Sequence, residues 1–277
     1  MKYLADLHTH SAVSDGQYTP AELIRLAKEC GLQLVALTDH DTVEGVGEAA
    51  AAGRELGIQV LQGVELSARE HTNFHILGYG YDPAALPLRR LCARQQTNRL
   101  RRVEMILDFL RKKGFVLSVD EVEQLAGSSV IGRPHFAQAL VTRGYVKSSR
   151  EAFDRLLDTA EFWERIPRLE ADAETCIQTI KASGGKASLA HPYQMRLPDR
   201  ELEALVAQLA AWGLDALECH YPKYTREQQA LYLYLAKKYG LHITGGSDFH
   251  GEEVKPDVQL AALELELDWL VGREVNH

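Results

Sequence analysis

The chain has 277 residues, 45% hydrophobic and 25% charged, so it is long enough to bury a large core in one sizeable domain. A net charge of −8 argues against a general nucleic-acid-binding surface, and no run of about 18 apolar residues indicates a membrane-spanning helix. Met1-Lys2 passes directly into the first predicted strand without a basic and apolar leader, which favours a cytoplasmic protein.

Apolar, β-rich runs alternate with helical patterns along most of the chain. The runs predict strands at residues 3–7, 34–38, 58–66, 74–79, 186–190, 216–219 and 242–245. Helices are predicted between them at residues 20–30, 43–56, 173–183, 199–212 and 226–239. This alternation predicts parallel strands with crossover helices, and seven such strands indicate an α/β barrel or an incomplete one. In such a fold the chemistry belongs at the C-terminal ends of the strands.

The alternation breaks between His75 and Lys186, where apolar residues recur at helical spacing. We interpret residues 86–167 as an inserted helical subdomain that caps the barrel mouth, with the barrel formed by residues 1–85 and 168–277. Residues 86–165 contain 15 Lys/Arg and 10 Asp/Glu, against 16 and 29 in the rest of the chain. A basic insert beside an acidic body suits an anionic substrate; the alternative is that these arginines form solvated helix faces.

Histidine and carboxylate residues recur at the ends of the predicted strands. His8 and His10 are alternate residues of the first run, so both can reach one point in space. Further candidates follow at Asp15, His40, Glu65, His75, His191, Asp248 and His250. One His-x-His is weak evidence for a metal, but repeated placement at strand ends favours a divalent-metal site. Ionisable groups clustered in a barrel mouth must pair, coordinate or change their pKa.

Taken in order, six motifs resemble those of the PHP (polymerase and histidinol phosphatase) family within the amidohydrolase superfamily. Between Tyr3 and His250 they are Asp-Leu-His-Thr-His…Ser-Asp-Gly, Thr-Asp-His, Gly-Val-Glu-Leu-Ser, the His of Asn-Phe-His-Ile-Leu-Gly-Tyr, Ala-His-Pro and Gly-Ser-Asp-Phe-His. The resemblance implies a distorted seven-stranded, TIM-like (β/α)7 barrel that holds two or three divalent ions and hydrolyses phosphoesters.

The resemblance also implies which side chains hold each ion. The first ion would be held by His8, His10, Glu65 and Asp248. Glu65 would bridge to a second ion, held also by His75 and His191. The third would be held by Asp15, His40 and His250. Several relatives have His in place of Asp15, and this extra oxygen ligand favours Mn²⁺ or Mg²⁺ over Zn²⁺. We expect Mn²⁺, and we expect Asp39 to orient a histidine rather than bind metal.

Clustered divalent ions explain phosphoester hydrolysis without a protein nucleophile. They lower the pKa of a bridging water, which gives hydroxide near neutral pH, and they neutralise the charge on a phosphoryl group under attack. The sequence has neither a Gly-x-Ser-x-Gly elbow nor a Gly-x-x-x-x-Gly-Lys-Ser loop. We therefore predict attack by a metal-bridging hydroxide, with catalysis carried by His8, His10, Glu65 and Asp248.

The insert carries the segment Ile131-Gly132-Arg133-Pro134-His135, which resembles a substrate-facing segment in the nucleotide-directed branch of the family. Arg133 can grip a phosphate through two parallel hydrogen bonds, and His135 can bind an oxygen or protonate the leaving alkoxide. The alternative is a plain turn at the start of a helix.

Residues of the barrel supply further predicted substrate contacts. Tyr221, Lys223 and Tyr224 follow the sixth predicted strand and offer aromatic faces for a base and a cation for a second phosphate. They can equally be ordinary rim residues. Ser67 and Asn73 are additional polar candidates.

The whole-chain arrangement most resembles family members that hydrolyse nucleoside 3′,5′-bisphosphates. We therefore expect a phosphoric monoester hydrolase that converts adenosine 3′,5′-bisphosphate to the 5′-monophosphate and phosphate. One alternative is a 5′-to-3′ exoribonuclease acting on short 5′-phosphorylated oligonucleotides. A non-catalytic, metal-stabilised binding module is the other, and the complete ligand set argues against it. The expected partners are small phosphorylated nucleotides or short RNA, without a membrane or an obligate protein partner.

Overall fold

The computed structural model describes residues 2–127 and 130–272, which divide into two units. The barrel unit comprises residues 1–93 and 171–277, and the helical unit comprises Arg94–Glu170. The assignment of residues 86–167 as a cap over the barrel mouth stays a prediction. Among the described residues, no helix has the length and apolar character needed to cross a membrane.

The barrel unit is built on one sheet. Its strands are β1 (Lys2–Thr9), β2 (Leu34–Leu37), β3 (Gln59–Ser67), β4 (His75–Tyr79), β5 (Lys186–Leu189), β6 (Ala216–His220), β7 (His242–Gly245) and β8 (Leu263–Glu266). They are ordered β7-β6-β5-β4-β3-β2-β1-β8. The sheet nearly closes, because the His10 amide donates to the Phe249 carbonyl at 2.9 Å and the Asp248 amide donates to the His8 carbonyl at 2.8 Å. The predicted distorted α/β barrel is confirmed.

The sheet differs in two ways from a parallel barrel of seven strands. β4 is antiparallel to both β3 and β5, because the short connection between Ser67 and His75 carries no helix to cross over. β8 is an additional strand that pairs antiparallel with β1. Its Leu-Glu-Leu-Glu sequence is too short to stand out as a strand in the sequence.

The described helices are α1 (Pro20–Glu29), α2 (Val46–Leu56), α3 (Leu86–Lys112), α4 (Val119–Ala126), α5 (Arg133–Thr142), α6 (Ser149–Ala152), α7 (Ala160–Arg165), α8 (Ala173–Ala182), α9 (Asp199–Ala211), α10 (Arg226–Tyr239) and α11 (Asp268–Val271). Local sequence explains several boundaries. At α1, Thr19 and Glu22 form a reciprocal capping box with Pro20 at the first position. α2 and α10 end at Gly57 and Gly240, which adopt left-handed backbone angles.

The barrel interior is apolar below the C-terminal ends of the strands. Leu7, Leu34, Leu61 and Tyr79 belong to a buried cluster contributed mainly by strands. His8 follows Leu7 directly, yet it also faces the interior, where it approaches Glu65. A bulge in β1 explains this, since β1 advances three residues between Asp6 and Thr9 while β2 advances two. Because of the bulge, the His8 side chain points into the barrel above the apolar cluster that contains Leu7.

The helical unit has its own core. Large apolar side chains from α3, α5 and α7 and from the π-helical turn Phe153–Leu157 pack together, with Leu110, Phe136, Leu140, Leu157 and Phe162 fully buried. Phe109 and Phe162 meet edge to face, with ring centroids 5.5 Å apart. This core accounts for the helical periodicity of the segment.

Candidate metal centre

Nine His, Asp and Glu side chains converge where the strands of the barrel unit end. Eight of them form three groups, and within each group the ligand atoms lie within 4.8 Å of one another. The groups are His8, His10, Glu65 and Asp248; His10, Asp15, His40 and His250; and His40, Glu65 and His75. The ninth residue, His191, brings its Nε2 to 2.9 Å from Glu65 Oε1. The structure therefore brings together every side chain that the sequence singled out as a metal ligand.

Glu65, at the end of β3, is fully buried between two sets of imidazoles. Its Oε2 lies 3.1 Å from His8 Nε2, 3.1 Å from His10 Nε2 and 3.2 Å from His40 Nδ1. Its Oε1 lies 2.7 Å from His75 Nδ1 and 2.9 Å from His191 Nε2. This two-sided arrangement is the one that a carboxylate bridging two ions requires.

The ligand atoms of this cluster do not fully satisfy one another by hydrogen bonding, as divalent ions could. His8 Nε2, both nitrogens of His10, His40 Nδ1, Glu65 Oε2 and His191 Nδ1 are buried without a hydrogen-bond partner. An unpaired buried polar group costs about 1–3 kcal/mol, so six such atoms at one place call for a ligand. Imidazole nitrogen together with carboxylate oxygen is a donor set suited to Mn²⁺ and its neighbours in the first transition row.

Electrostatics keeps the carboxylates of the cluster ionised. Burial opposes the charge of Asp15, but His40, His250 and His10 hold the pKa of its carboxyl well below the usual range. Burial likewise opposes the charge of His10, yet the nearby carboxylates of Asp248 and Glu65, 3.4 and 3.1 Å from its Nε2, raise the pKa of the imidazole to about 9. Ionised carboxylates are the form in which these residues bind cations.

Glu218, in the middle of β6, orients two of the histidines. It is fully buried; its Oε1 lies 3.1 Å from His8 Nδ1, and its Oε2 accepts from the His191 amide at 2.6 Å. An ionised carboxylate can only accept, so this contact places the His8 proton on Nδ1 and leaves Nε2 for a metal. His191 has a φ of 22°, and the bond to Glu218 holds this strained backbone in place.

Asp6 ties β1 to the loop that carries Asp248. Its carboxylate accepts from the Ser247 amide and hydroxyl at 2.9 and 2.6 Å, from the His8 amide at 3.2 Å and from the Ala261 amide at 2.9 Å. Complete burial raises the pKa of Asp6 to about 6 despite these bonds. The residue therefore fixes the spacing between two ligand-bearing segments.

Asp39 does not orient a histidine, so that prediction is wrong. Its carboxylate accepts from the Ser11 amide, the Ser11 hydroxyl and the Ser14 hydroxyl, each at 2.7 Å. The side chain is directed at the turn after β1 because the serines supply the nearest donors there. Asp39 thereby holds the turn that carries Asp15.

The predicted substrate residues of the barrel unit have different surroundings. Asn73, Tyr221 and Lys223 line one cleft. The Ser67 hydroxyl donates to Asp41 at 3.0 Å. Tyr224 donates to the Glu218 carbonyl at 3.0 Å and packs against Tyr193, Tyr221 and Tyr232, so it supports β6 from within an aromatic cluster.

Arg133 and His135 are partnered inside the helical unit. Arg133 Nη1 donates to Asp158 at 2.7 Å and to the Leu157 carbonyl at 3.2 Å, and the guanidinium lies 4.5 Å from the Trp163 ring centroid. His135 Nδ1 accepts from the Gly132 amide at 3.0 Å at the start of α5. These contacts match the alternative of a helix-start turn; a role in substrate binding stays a prediction.

Sequence reasoning missed Glu218, Asp6 and Lys255; the last of these donates from its Nζ to Asp248 Oδ2 at 2.8 Å. A carboxylate inside the short apolar runs of β1 and β6 was the available signal for Asp6 and Glu218, since an acid on a buried strand needs a partner. Lys255 carried no such signal, because an isolated cation after a strand is normally solvated.

Comparisons with known proteins agree with this geometry. A PHP domain model matches residues 6–161. A 5′-3′ exoribonuclease from Haemophilus influenzae is 36% identical, with 88% of this chain and 89% of the relative covered. A 3′,5′-nucleoside bisphosphate phosphatase from Chromobacterium violaceum is 34% identical, covering 88% and 86%. A solved amidohydrolase from Chromobacterium violaceum, with bound sulfate and no metal, is 32% identical with a TM-score of 0.75, covering 95% and 91%.

Barrel, ligand cluster and relatives together define a metal-dependent phosphoesterase. The chain belongs to the PHP family.

Proposed function

We propose that this phosphoesterase removes the 3′-phosphate of nucleoside 3′,5′-bisphosphates, with adenosine 3′,5′-bisphosphate as the reference substrate. The observation that carries the proposal is the set of unpartnered, buried ligand atoms around Glu65. The relative named as a 3′,5′-nucleoside bisphosphate phosphatase supports the choice of substrate.

In this proposal the nine clustered side chains hold two or three ions, with Mn²⁺ as the metal. His8, His10, Glu65 and Asp248 form the first site, Glu65, His75 and His191 the second, and Asp15, His40 and His250 the third. When bound, such ions activate water and neutralise charge on a phosphoryl group. The chain itself keeps the imidazoles oriented through Glu218, and the low exposure of the cluster strengthens every charge interaction inside it.

The proposal is tested with metal-stripped protein reloaded with Mn²⁺, Mg²⁺ or Zn²⁺. Phosphate release is measured from adenosine 3′,5′-bisphosphate and from adenosine 5′-monophosphate. We expect release from the bisphosphate alone, highest with Mn²⁺, and loss of release in Glu65→Gln. The matched control is Glu264→Gln, an exposed glutamate on β8. Equal turnover of the two nucleotides would contradict the proposal.

A second candidate is exonuclease activity on short RNA, which the Haemophilus influenzae relative named as a 5′-3′ exoribonuclease favours. A 5′-phosphorylated RNA oligomer is incubated with the Mn²⁺-loaded protein, and mononucleotides are resolved by chromatography. Stepwise release of mononucleotides at a rate above that of phosphate release from the bisphosphate would make the nuclease the principal activity. If His10→Ala changed neither activity, a non-catalytic binding module would be favoured.

A further inference from the structure

A cleft of about 290 Å³ lies beside the metal centre in the barrel unit. Residues from the segments around β4, β5, β6 and β7 line it: Asn73, Tyr193, Gln194, Arg196, Tyr221, Lys223 and Lys255. Tyr221 and Lys255 both donate to Asp248 Oδ2, at 3.2 and 2.8 Å. The cleft therefore borders the metal centre through Asp248, which two of its lining residues contact.

The cleft carries more positive charge than its walls neutralise. Three of the lining residues are cations, and none is acidic. Lys255 is paired with Asp248, whose Oδ1 faces His8 and His10 on the other side. In the described part of the chain, neither Arg196 nor Lys223 has a carboxylate within 4.0 Å. Two cations thus remain available to an anion.

Backbone geometry at the cleft is also unusual. Asn73 and Arg196 have φ angles of 55° and 54°, in the left-handed region that favours glycine. Arg196 ends the 3₁₀ turn Pro192–Met195, where its amide donates to the Tyr193 carbonyl at 3.2 Å. A non-glycine residue in this conformation typically costs about 1 kcal/mol or more, and such residues concentrate at ligand sites.

We infer that this cleft binds the phosphate that is not hydrolysed, with Arg196 and Lys223 as its principal ligands; this inference rests on the proposed function. An arginine fork matches the oxygens of a phosphate, and a lysine adds a mobile point charge. The two phosphates of a nucleoside 3′,5′-bisphosphate are attached to one ribose. A second anion site for such a substrate must therefore border the ions, as this cleft does through Asp248. The 5′-phosphate is the group assigned to it.

The test compares two substrates that differ only in the second phosphate. Wild-type, Arg196→Ala, Lys223→Ala and the double variant are loaded with Mn²⁺, and kcat/KM is measured on adenosine 3′,5′-bisphosphate and on adenosine 3′-monophosphate. We expect each single change to lower the bisphosphate-to-monophosphate ratio of kcat/KM by about tenfold to a hundredfold, the usual worth of a charge-assisted hydrogen bond. Arg196→Lys should retain part of the selectivity. Arg54→Ala, an exposed arginine at the end of α2, is the matched control.

A second measurement does not depend on turnover. Inhibition by adenosine 5′-monophosphate should weaken in Arg196→Ala, while inhibition by inorganic phosphate, which can occupy the metal centre alone, should change less than twofold. Metal content of each variant is measured to establish that the ions are retained. An unchanged ratio of kcat/KM, or equal losses on both substrates, overturns this inference and leaves the proposed function standing. If the wild-type enzyme hydrolyses neither nucleotide, the proposed function fails and this inference fails with it.

Discussion

The metal centre and the Gly132–His135 segment both stand out in the sequence, yet the structure treats them differently. Around Glu65, six buried nitrogen and oxygen atoms have no hydrogen-bond partner. In the helical unit, Arg133 is satisfied by Asp158 and the Trp163 ring, and His135 by the Gly132 amide. The comparison teaches that unmet hydrogen-bonding capacity separates a ligand site from a polar motif that stabilises its own fold.

Metal removal gives the largest expected effect and tests the first half of this comparison. Chelation should abolish phosphate release, and it should lower the midpoint of thermal unfolding, because ions that bind only the folded state stabilise it. In the loaded enzyme, His10→Ala should lower kcat/KM by about a thousandfold, equivalent to about 4 kcal/mol of transition-state stabilisation. Calorimetry and phosphate-release assays measure both. Full activity after verified metal loss would remove the basis for the site.

Glu218→Gln tests whether the ligands must also be oriented. The amide can still accept from the His191 N–H, but its NH₂ group then faces His8 Nδ1 and favours the wrong tautomer. We expect metal affinity to fall by about tenfold to a hundredfold, with thermal unfolding of the metal-free protein nearly unchanged. Chelator competition measures the affinity, and nitrogen-15 NMR of the imidazoles reports the tautomer. Glu264→Gln serves as control; equal affinities in the two variants would show that Glu218 does not position His8.

Arg133→Ala sharpens the second half of the comparison. Because the guanidinium already donates to Asp158 and lies over Trp163, we expect a loss of about 1 kcal/mol in the free energy of unfolding. If Arg133 acts only within the helical unit, KM for the bisphosphate changes less than twofold. Denaturant unfolding and steady-state kinetics are measured on the same preparation. A tenfold rise in KM without a change in stability would instead assign Arg133 to substrate binding.

Cysteine reactivity gives the smallest effect and probes the barrel unit away from its metals. Cys30 is exposed, whereas Cys92, Cys176 and Cys219 are buried. Burial, assisted by the nearby Asp41 charge, raises the pKa of the Cys92 thiol to about 12, and burial also raises the pKa of Cys219. At pH 8 a thiol reagent should therefore modify one cysteine of the native protein and four after denaturation. Fast modification of a second cysteine in the native protein would show that a buried segment opens.

The sequence predicted those features of the fold and site that follow from local patterns of residues along a strand. Alternation along β1 and the strand-end positions of Glu65 and Asp248 were enough to bring the ligands together, because chemistry in such barrels gathers at one edge. The antiparallel β4 was not foreseen, since its direction depends on a connection without a helix rather than on its own residues. Glu218 acts through contacts with His8 and His191, and the cleft that Arg196 lines is formed by distant segments; periodicity encodes neither.

The order of the ligands along the chain has a consequence for biosynthesis. The first ligand is His8 and the last is His250, so both ends of the barrel unit must be in place before the set is complete. A nascent chain that has not yet released the segment after β7 from the ribosome lacks two of the nine donors. Of the three proposed sites, the first and the third therefore stay incomplete until this segment has folded, and a truncated translation product that ends before Asp248 lacks a ligand of each.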